Sequence, residues 1–139
     1  MHSKNILITG GTGYLGSYLA KRLKNEHNLL ILKRKSSNLE KINEIIEEIS
    51  LVNIDDCKEI DVFKNFNLDL IIHCATEYGR KNKSVKDVIG TNILMPLWLV
   101  EIAKKYNVDF INIDTYFNVK NVGYNYLPNY ILTKKHFVE

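Results

Sequence analysis

Two side chains near the end of the chain have the types and the spacing needed for proton transfer. Tyr130 and Lys134 stand four residues apart in YILTK, so on a helix they project from the same face. A nearby ammonium favours the phenolate and lowers the pKa of a tyrosine from about 10. Such a tyrosine can donate or accept a proton at a carbonyl or alcohol oxygen. The pair is therefore a candidate acid–base site.

The spacing does not single out this pair, because Tyr116 and Lys120 are also four residues apart. Tyr116 directly follows a predicted strand, and Gly123 soon interrupts the segment, so a helix is not expected there. Tyr130, by contrast, begins a helical stretch shortly after a proline. We therefore predict that Tyr130 and Lys134 form the working pair.

A second chemical signal lies near the start of the chain, in ILITGGTGYLGSYLA. Gly10, Gly13 and Gly16 follow an apolar run and open a helical pattern, with the spacing G-x-x-G-x-x-G. Such a turn points the unpaired N–H groups of a helix N-terminus at a bound anion. The glycines would allow a tight turn, a close approach to phosphates and close packing of the helix on the sheet. The motif predicts a dinucleotide site that includes Gly10, Gly11, Thr12, Gly13, Tyr14, Leu15 and Gly16.

The segment after the second apolar run bears on which dinucleotide is bound. A domain that prefers NAD usually places an acid after its second strand to hold the ribose 2′-hydroxyl. Here LKRKSSN is followed by no acid before Glu40, whereas Lys33, Arg34 and Lys35 would attract a 2′-phosphate, with Arg34 the main candidate. Ser36 or Ser37 would assist them. We predict that NADP is preferred over NAD; the alternative is a solvated basic loop without a ligand.

Apolar runs alternate with helical patterns along the chain. NILITG, NLLILKR, SLVNID, LDLIIHCA and DFINID are predicted strands, and SSNLEKINEIIEEI and KEIDVFKNF are predicted helices. A longer helix is expected from about Val85 to Tyr106, with a bend or a late start at Pro96. His73 is expected to be a core histidine with a satisfied hydrogen bond. The pattern predicts an α/β fold, a doubly wound parallel sheet in the order 3-2-1-4-5 with helices on both faces.

Composition disfavours several classes of function. The chain has 139 residues and a formal charge of +3 from 19 basic and 16 acidic residues. This small excess is far below the dense positive charge expected of a nucleic-acid-binding protein. No apolar run approaches the roughly 18 residues that span a bilayer, and the start does not resemble a signal peptide. Cys57 and Cys74 lack metal-ligand spacing. We expect a single cytoplasmic domain over residues 1–139, with no metal and no nucleic-acid or membrane partner.

Four segments in order, TGGTGYLGS, DLIIHCAT, GTNILMPLWLVEIA and YILTK, resemble the short-chain dehydrogenase/reductase superfamily. The extended branch, which acts on nucleotide-sugars, is the most similar. The resemblance implies a Rossmann-type fold, a nicotinamide cofactor and a nucleotide-sugar substrate. Members of the family usually run to about twice this length, so it also implies a chain truncated before the substrate-binding domain. Apolar surface exposed in that way would favour a homodimer.

The resemblance also implies roles for individual residues. Thr115 would hydrogen-bond the substrate oxygen, Tyr130 would exchange a proton with it, and Lys134 would also bind the nicotinamide ribose. Asp55 or Asp56 would hold the adenine amino group, although a capping role for the next helix explains either equally well. Further cofactor contacts are implied for Cys74, Ala75, Thr76 and Asn92.

Details of the motifs narrow the expected reaction. Sugar-nucleotide dehydratases carry an Asp-Glu pair directly after the strand-end threonine, whereas Tyr116 and Phe117 follow Thr115 here, which disfavours dehydration. ILKRKSSNLEKI, HCATEYGRK and INIDTYFN are most similar to CDP-abequose and CDP-paratose synthases, which reduce a CDP-linked 4-keto deoxysugar with NADPH. We predict an NAD(P)-dependent reductase of this kind. The alternatives are a nucleotide-sugar 4-epimerase and a non-catalytic dinucleotide-binding module that senses redox state.

Overall fold

The computed structural model describes residues 2–56, 63, 65–80, 83–115 and 127–138. Cys57, most of the predicted helix KEIDVFKNF, and the alternative pair Tyr116 and Lys120 lie outside this part of the chain. The described strands are β1 (Asn5–Thr9), β2 (Asn28–Lys33), β3 (Ser50–Asn53), β4 (Leu70–His73) and β5 (Asp109–Asn112).

The described strands form one parallel sheet in the order β3-β2-β1-β4-β5, as predicted. β1 is the central strand, and its register places Ile8 beside Ile31 of β2 and Ile72 of β4. These strands are apolar on both faces because both faces are buried. The Rossmann-type order brings the ends of β1 and β4, and the segments that follow them, to the middle of one sheet edge.

The two faces of the sheet are covered by different helices, so the fold is doubly wound. On one face α3 (Met95–Tyr106) packs Leu99 and Ile102 against Leu7 and Ile71. On the other face α1 (Tyr14–Leu23) and a 3₁₀ helix (Glu40–Glu48) pack against a second set of strand residues. That set comprises Ile6, Ile8, Leu29, Ile31 and Ile72.

The helix predicted over SSNLEKINEIIEEI has 3₁₀ rather than α geometry between Glu40 and Glu48. Its buried residues, Ile42 and Ile45, are three positions apart, which matches the three residues per turn of a 3₁₀ helix. Asn38 accepts a hydrogen bond of 2.8 Å from the backbone N–H of Glu40 through its Oδ1. The expected helix is thus present, with 3₁₀ rather than α winding and with Ile42 and Ile45 facing inward.

The interruption expected at Pro96 is a turn of π-helix over Gly90–Leu94, between α2 (Val85–Ile89) and α3. The N–H of Met95 donates to the carbonyl of Gly90, five residues earlier. Proline lacks an N–H, and in an α-helix its ring would clash with the carbonyl four residues earlier. Widening the preceding turn relieves this clash and lets α3 begin at Met95.

The last described helix is α4 (Leu127–Val138), which packs against the π turn and α2. It carries the predicted catalytic pair to the end of β5. Within the described part of the chain, no helix combines the length and the apolar character needed to cross a membrane.

Candidate functional site

The glycine turn brings the end of β1 into contact with the end of β4. Gly10 has a φ of +66°, and a Cβ there would lie 2.7 Å from the backbone nitrogen of Ala75 and 2.8 Å from the carbonyl carbon of Cys74. A Cβ on Gly16 would overlap the backbone of Gly10 and Gly11. These two glycines are therefore needed by the protein itself, because they let α1 and β4 pack closely on the turn.

Gly13 has a different environment, which fits a ligand. It is exposed, it is the N-cap residue of α1, and no side chain in the described residues caps this helix end. The first turn of α1 contains no acidic residue. The unpaired backbone N–H groups that begin at Tyr14 thus lie beside open space, where the partial positive charge of the helix end favours an anion. The turn fits the diphosphate of a dinucleotide.

A cleft of about 550 Å³ runs from this turn over the carboxyl edge of the sheet. One end lies at Lys33 and Arg34, after β2, and the other at Asp114 and Tyr130. It thereby joins the predicted phosphate-binding end to the predicted catalytic end. The predicted cofactor residues that line it are Gly10, Thr12, Gly13, Tyr14, Leu15, Gly16, Lys33, Arg34, Cys74, Ala75, Thr76 and Tyr130.

Several predicted cofactor residues do not line this cleft. Gly11 packs against the side chain of Ile31. At the basic end it is Ser37, rather than Ser36, that lines the cleft. The side chain of Asp56 lies outside the described residues. The others that do not line it are Asp55, Asn92 and Lys134.

The loop after β2 is held by hydrogen bonds that leave Arg34 exposed at the cleft. Asp55 accepts a bond of 2.6 Å from the backbone N–H of Lys35, so this carboxylate holds the loop. Ser37 accepts a bond of 3.1 Å from the N–H of Arg34. Lys33 donates from its Nζ to Oδ1 of Asn53 at 2.6 Å. Two cations are thus placed at the end of the cleft.

The structure brings the three predicted catalytic residues together at the end of β5. Tyr130 and Lys134 lie on α4 with 4% and 2% of their surface exposed. The hydroxyl of Thr115 is hydrogen-bonded to that of Tyr130. Lys134 donates from its Nζ to the carbonyl of Ile113 at 2.9 Å. A phenol, a hydroxyl and an ammonium therefore lie close to the segment of three residues that follows β5.

The expectation that Lys134 lowers the pKa of Tyr130 is wrong in this structure. Burial raises the pKa of Tyr130 above its usual value, the hydrogen bond from Thr115 opposes this effect, and Tyr78 and Asp114 add to it. Burial also lowers the pKa of Lys134, against the opposing influence of Asp114 and Cys74. The phenol is therefore held in its protonated form.

Asn92 has a structural role that differs from the implied cofactor contact. Its Oδ1 accepts from the N–H of Glu77 at 2.9 Å, and its Nδ2 donates to the carbonyl of the same residue at 2.9 Å. Nδ2 also lies 3.0 Å from Oγ1 of Thr133, next to Lys134 on α4. The amide thus ties the segment after β4 to the helix that carries the predicted catalytic pair.

His73 is buried as predicted, but only one ring nitrogen has a partner among the described residues. Nδ1 lies 2.7 Å from Oγ1 of Thr9, which also accepts from the N–H of Ala75, while Nε2 has no partner there. Burial, with a smaller effect of Lys134, lowers the pKa of His73 from 6.5 to about 4. His73 is thus neutral at physiological pH and belongs to the core.

Sequence reasoning missed Tyr78. The centroid of its ring lies 4.7 Å from that of Tyr130, and Tyr78 also lines the cleft. The available signal was its position in HCATEYGRK, a few residues beyond the carboxyl end of β4. Residues that follow the strands of a parallel sheet approach its ligands. An aromatic there is thus a site candidate.

Comparison with known proteins agrees with this geometry. The NAD dependent epimerase/dehydratase family matches residues 6–120. CDP-abequose synthase of Salmonella muenchen is 33% identical over 99% of this chain and 46% of its own length, and that of Salmonella typhimurium is 32% identical over 96% and 46%. The chain thus spans about half the length of the curated relatives it matches.

Among solved structures, the Bordetella bronchiseptica enzyme WbmG in complex with NAD and UDP superposes with a TM-score of 0.78. It is 22% identical, and the match covers 99% of this chain and 49% of that one. At this identity the likeness supports the Rossmann-type fold. The sequence matches confirm the family resemblance that the motifs indicated: the chain belongs to the NAD dependent epimerase/dehydratase family.

Proposed function

We propose that this chain is the cofactor-binding and catalytic part of an NADP-dependent reductase that acts on a CDP-linked 4-keto deoxysugar. The observation that carries the proposal is the buried, protonated Tyr130, hydrogen-bonded to Thr115 at one end of a cleft that begins at the glycine turn. The similarity to two CDP-abequose synthases over nearly the whole chain supports the sugar-nucleotide part of the proposal.

In this proposal Tyr130 is the proton donor to the substrate ketone. Thr115 hydrogen-bonds the same oxygen and orients it toward the phenol. A tyrosine with its ordinary pKa of about 10 is protonated at neutral pH, and burial raises the pKa of Tyr130 further, so the phenol has a proton to donate.

The residues of the cleft fit a nicotinamide dinucleotide. The glycine turn and the N-terminus of α1 would bind its diphosphate. Lys134 does not itself line the cleft; its buried Nζ lies at the carbonyl of Ile113, a residue that does, and would bind the ribose next to the nicotinamide from there. When bound, the reduced cofactor supplies the electron pair that the ketone carbon gains. The loop after β2 contributes no carboxylate of its own, and the Asp55 carboxylate that lies against it is taken up by the backbone N–H of Lys35 and does not line the cleft. Lys33 and Arg34 favour a 2′-phosphate, which supports NADP over NAD.

The proposal is tested in two steps. Isothermal titration of the chain with NADP⁺ and NAD⁺ measures cofactor binding directly. Turnover is measured by NADPH oxidation with a CDP-linked 4-keto deoxysugar, in a fusion of this chain to the remaining part of the Salmonella muenchen CDP-abequose synthase. We expect Tyr130→Phe to lower the rate by on the order of 10²–10⁴ and to leave NADP⁺ affinity nearly unchanged.

Tyr116→Phe is the matched control, because Tyr116 has the same spacing to a lysine. The control is expected to retain turnover. If Tyr116→Phe abolished turnover and Tyr130→Phe did not, the assigned proton donor would be wrong. A fusion that binds NADP⁺ and leaves the CDP-linked ketone unreduced would contradict the proposed reaction.

A further inference from the structure

Tyr78 packs directly on the proposed proton donor. The ring centroids of Tyr78 and Tyr130 are 4.7 Å apart with 41° between the ring planes, and both residues line the cleft. Tyr78 is 38% exposed, whereas Tyr130 is 4% exposed. The outer tyrosine therefore shields the inner one from solvent on the side where the two rings meet.

The position of Tyr78 is set by contacts on both sides of it along the chain. On one side, the backbone of Glu77 forms two hydrogen bonds with the Asn92 amide: its N–H donates to Oδ1 and its carbonyl accepts from Nδ2. On the other, the N–H of Gly79, whose φ is +77°, donates to Oε1 of Glu77 at 3.2 Å. The guanidinium carbon of Arg80 lies 4.9 Å from the centroid of the Tyr78 ring. An aromatic ring held in this way provides a fixed wall for the site.

We propose that Tyr78 is a positioning residue for Tyr130, resting on the proposed function in which Tyr130 is the proton donor. The ring of Tyr78 holds the phenol ring of Tyr130 in the orientation in which Thr115 reaches its hydroxyl, and it excludes water from the phenol. An aromatic pair of this kind contributes about 0.5–1.5 kcal/mol beyond the burial of its area.

The contact has a measurable effect on the proton that Tyr130 carries. Burial is the largest cause of the raised pKa of Tyr130, and the ionised form of Tyr78 raises it further at alkaline pH. Tyr78→Phe keeps the ring and loses only the second effect. Tyr78→Ala loses the second effect and also the part of the burial that the Tyr78 ring provides. We therefore expect the pKa of Tyr130 to be highest in the parent chain, lower in Tyr78→Phe and lowest in Tyr78→Ala.

The experiment follows the Tyr130 phenol by NMR in the 139-residue chain labelled with ¹³Cζ-tyrosine, with the signal assigned by Tyr130→Phe. The pH titration tests the predicted order of pKa values. Ring-current shifts of the Tyr130 protons test the contact itself: they should persist in Tyr78→Phe and disappear in Tyr78→Ala. If Tyr78→Ala does not fold, Tyr78→Leu replaces it, because leucine keeps the bulk and lacks the ring.

Tyr18→Ala is the matched control. Tyr18 is an exposed tyrosine on α1 with Arg22 5.6 Å from its ring, a pair like that of Tyr78 and Arg80 but outside the cleft. This variant should leave the Tyr130 signals unchanged. Unchanged titration and ring shifts in Tyr78→Ala or Tyr78→Leu would overturn the inference. Since these measurements need neither cofactor nor substrate, a failed turnover assay would count against the proposed function only.

Discussion

Lys134 donates a hydrogen bond of 2.9 Å from its Nζ to the backbone carbonyl of Ile113, directly after β5. The N–H of Ile113 in turn donates to the carbonyl of His73 at 3.1 Å, so this residue joins the ends of β4 and β5. The hydrogen bond therefore ties α4 to the carboxyl edge of the sheet, and it sets where the buried ammonium lies relative to the cleft.

The first prediction concerns Lys134→Met, which removes the ammonium and keeps most of the side chain's length. An unpaired Ile113 carbonyl costs about 1–3 kcal/mol, and removal of a buried charge offsets part of that cost. We expect the free energy of unfolding in urea to fall by no more than about 2 kcal/mol. NADP⁺ affinity, measured by titration calorimetry, should fall by on the order of tenfold or more because a charged hydrogen-bond donor is lost.

Lys135→Met, at the exposed neighbouring position on α4, is the control for this substitution and should bind NADP⁺ like the parent. Parent-like affinity in Lys134→Met would show that this ammonium does not contact the cofactor.

The second prediction concerns the basic end of the cleft. Arg34 is exposed there, and its guanidinium can bind a 2′-phosphate with two hydrogen bonds. Arg34→Ala should weaken NADP⁺ binding by about 10–100-fold and leave NAD⁺ binding nearly unchanged. Arg22→Ala, on the outer face of α1, controls for the loss of net charge. If Arg34→Ala lost the same affinity for NADP⁺ and for NAD⁺, the argument that Arg34 selects NADP would be wrong.

The third prediction separates a glycine needed for the fold from one needed for the ligand. Gly10→Ala combines a positive φ with backbone overlap at Ala75, so we expect a loss of about 3 kcal/mol or more in unfolding free energy. The backbone at Gly13 is extended, and a Cβ there would lie 3.2 Å from the Gly10 carbonyl oxygen. Gly13→Ala should therefore lower the free energy of unfolding by only about 1 kcal/mol.

Titration with NADP⁺ then measures whether Gly13 is needed for ligand binding. Gly13→Ala should bind the cofactor much more weakly than the parent, because its methyl group occupies the space beside the α1 N-terminus. Tight NADP⁺ binding by a folded Gly13→Ala chain would place the diphosphate elsewhere.

The sheet could be predicted from the sequence because each buried parallel strand is a nearly continuous apolar run. In β1 and β2, Ile8 and Ile31 face one helical layer, whereas Leu7 and Leu30 face the other. Two helix geometries were not predicted. Both depend on backbone hydrogen bonding that responds to packing: Glu40–Glu48 has 3₁₀ winding with Ile42 and Ile45 facing inward, and the π turn follows from Pro96.

The candidate site was predictable where spacing along one element determines proximity, as for Tyr130 and Lys134 on α4. It was not predictable where proximity depends on tertiary packing. Nothing in HCATEYGRK indicates that Tyr78 meets a ring 52 positions later, or that Asn92 holds the peptide of Glu77. The direction of the pKa shift of Tyr130 was missed for the same reason, because it is set mainly by burial and Lys134 is not among the groups that shift it.

The fourth prediction concerns the stability of the fold at acid pH. The pKa of His73 is lowered from 6.5 to about 4, mainly by burial and also by Lys134, so the folded chain holds this imidazole neutral. Between these two pH values the unfolded chain binds a proton that the folded chain does not. Stability therefore rises with pH across this window and is lost on acidification. The full effect of the shift is about 3 kcal/mol.

Urea unfolding at pH 7 and at pH 4.5 measures this effect as a difference between the parent and His73→Gln. Carboxylates titrate in both proteins, so their contribution largely cancels in the comparison, and the parent should lose about 2–3 kcal/mol more than the variant. His136→Gln, at an exposed position on α4, should behave like the parent. If the parent and His73→Gln lost equal stability between the two pH values, His73 would not be the buried group that resists protonation.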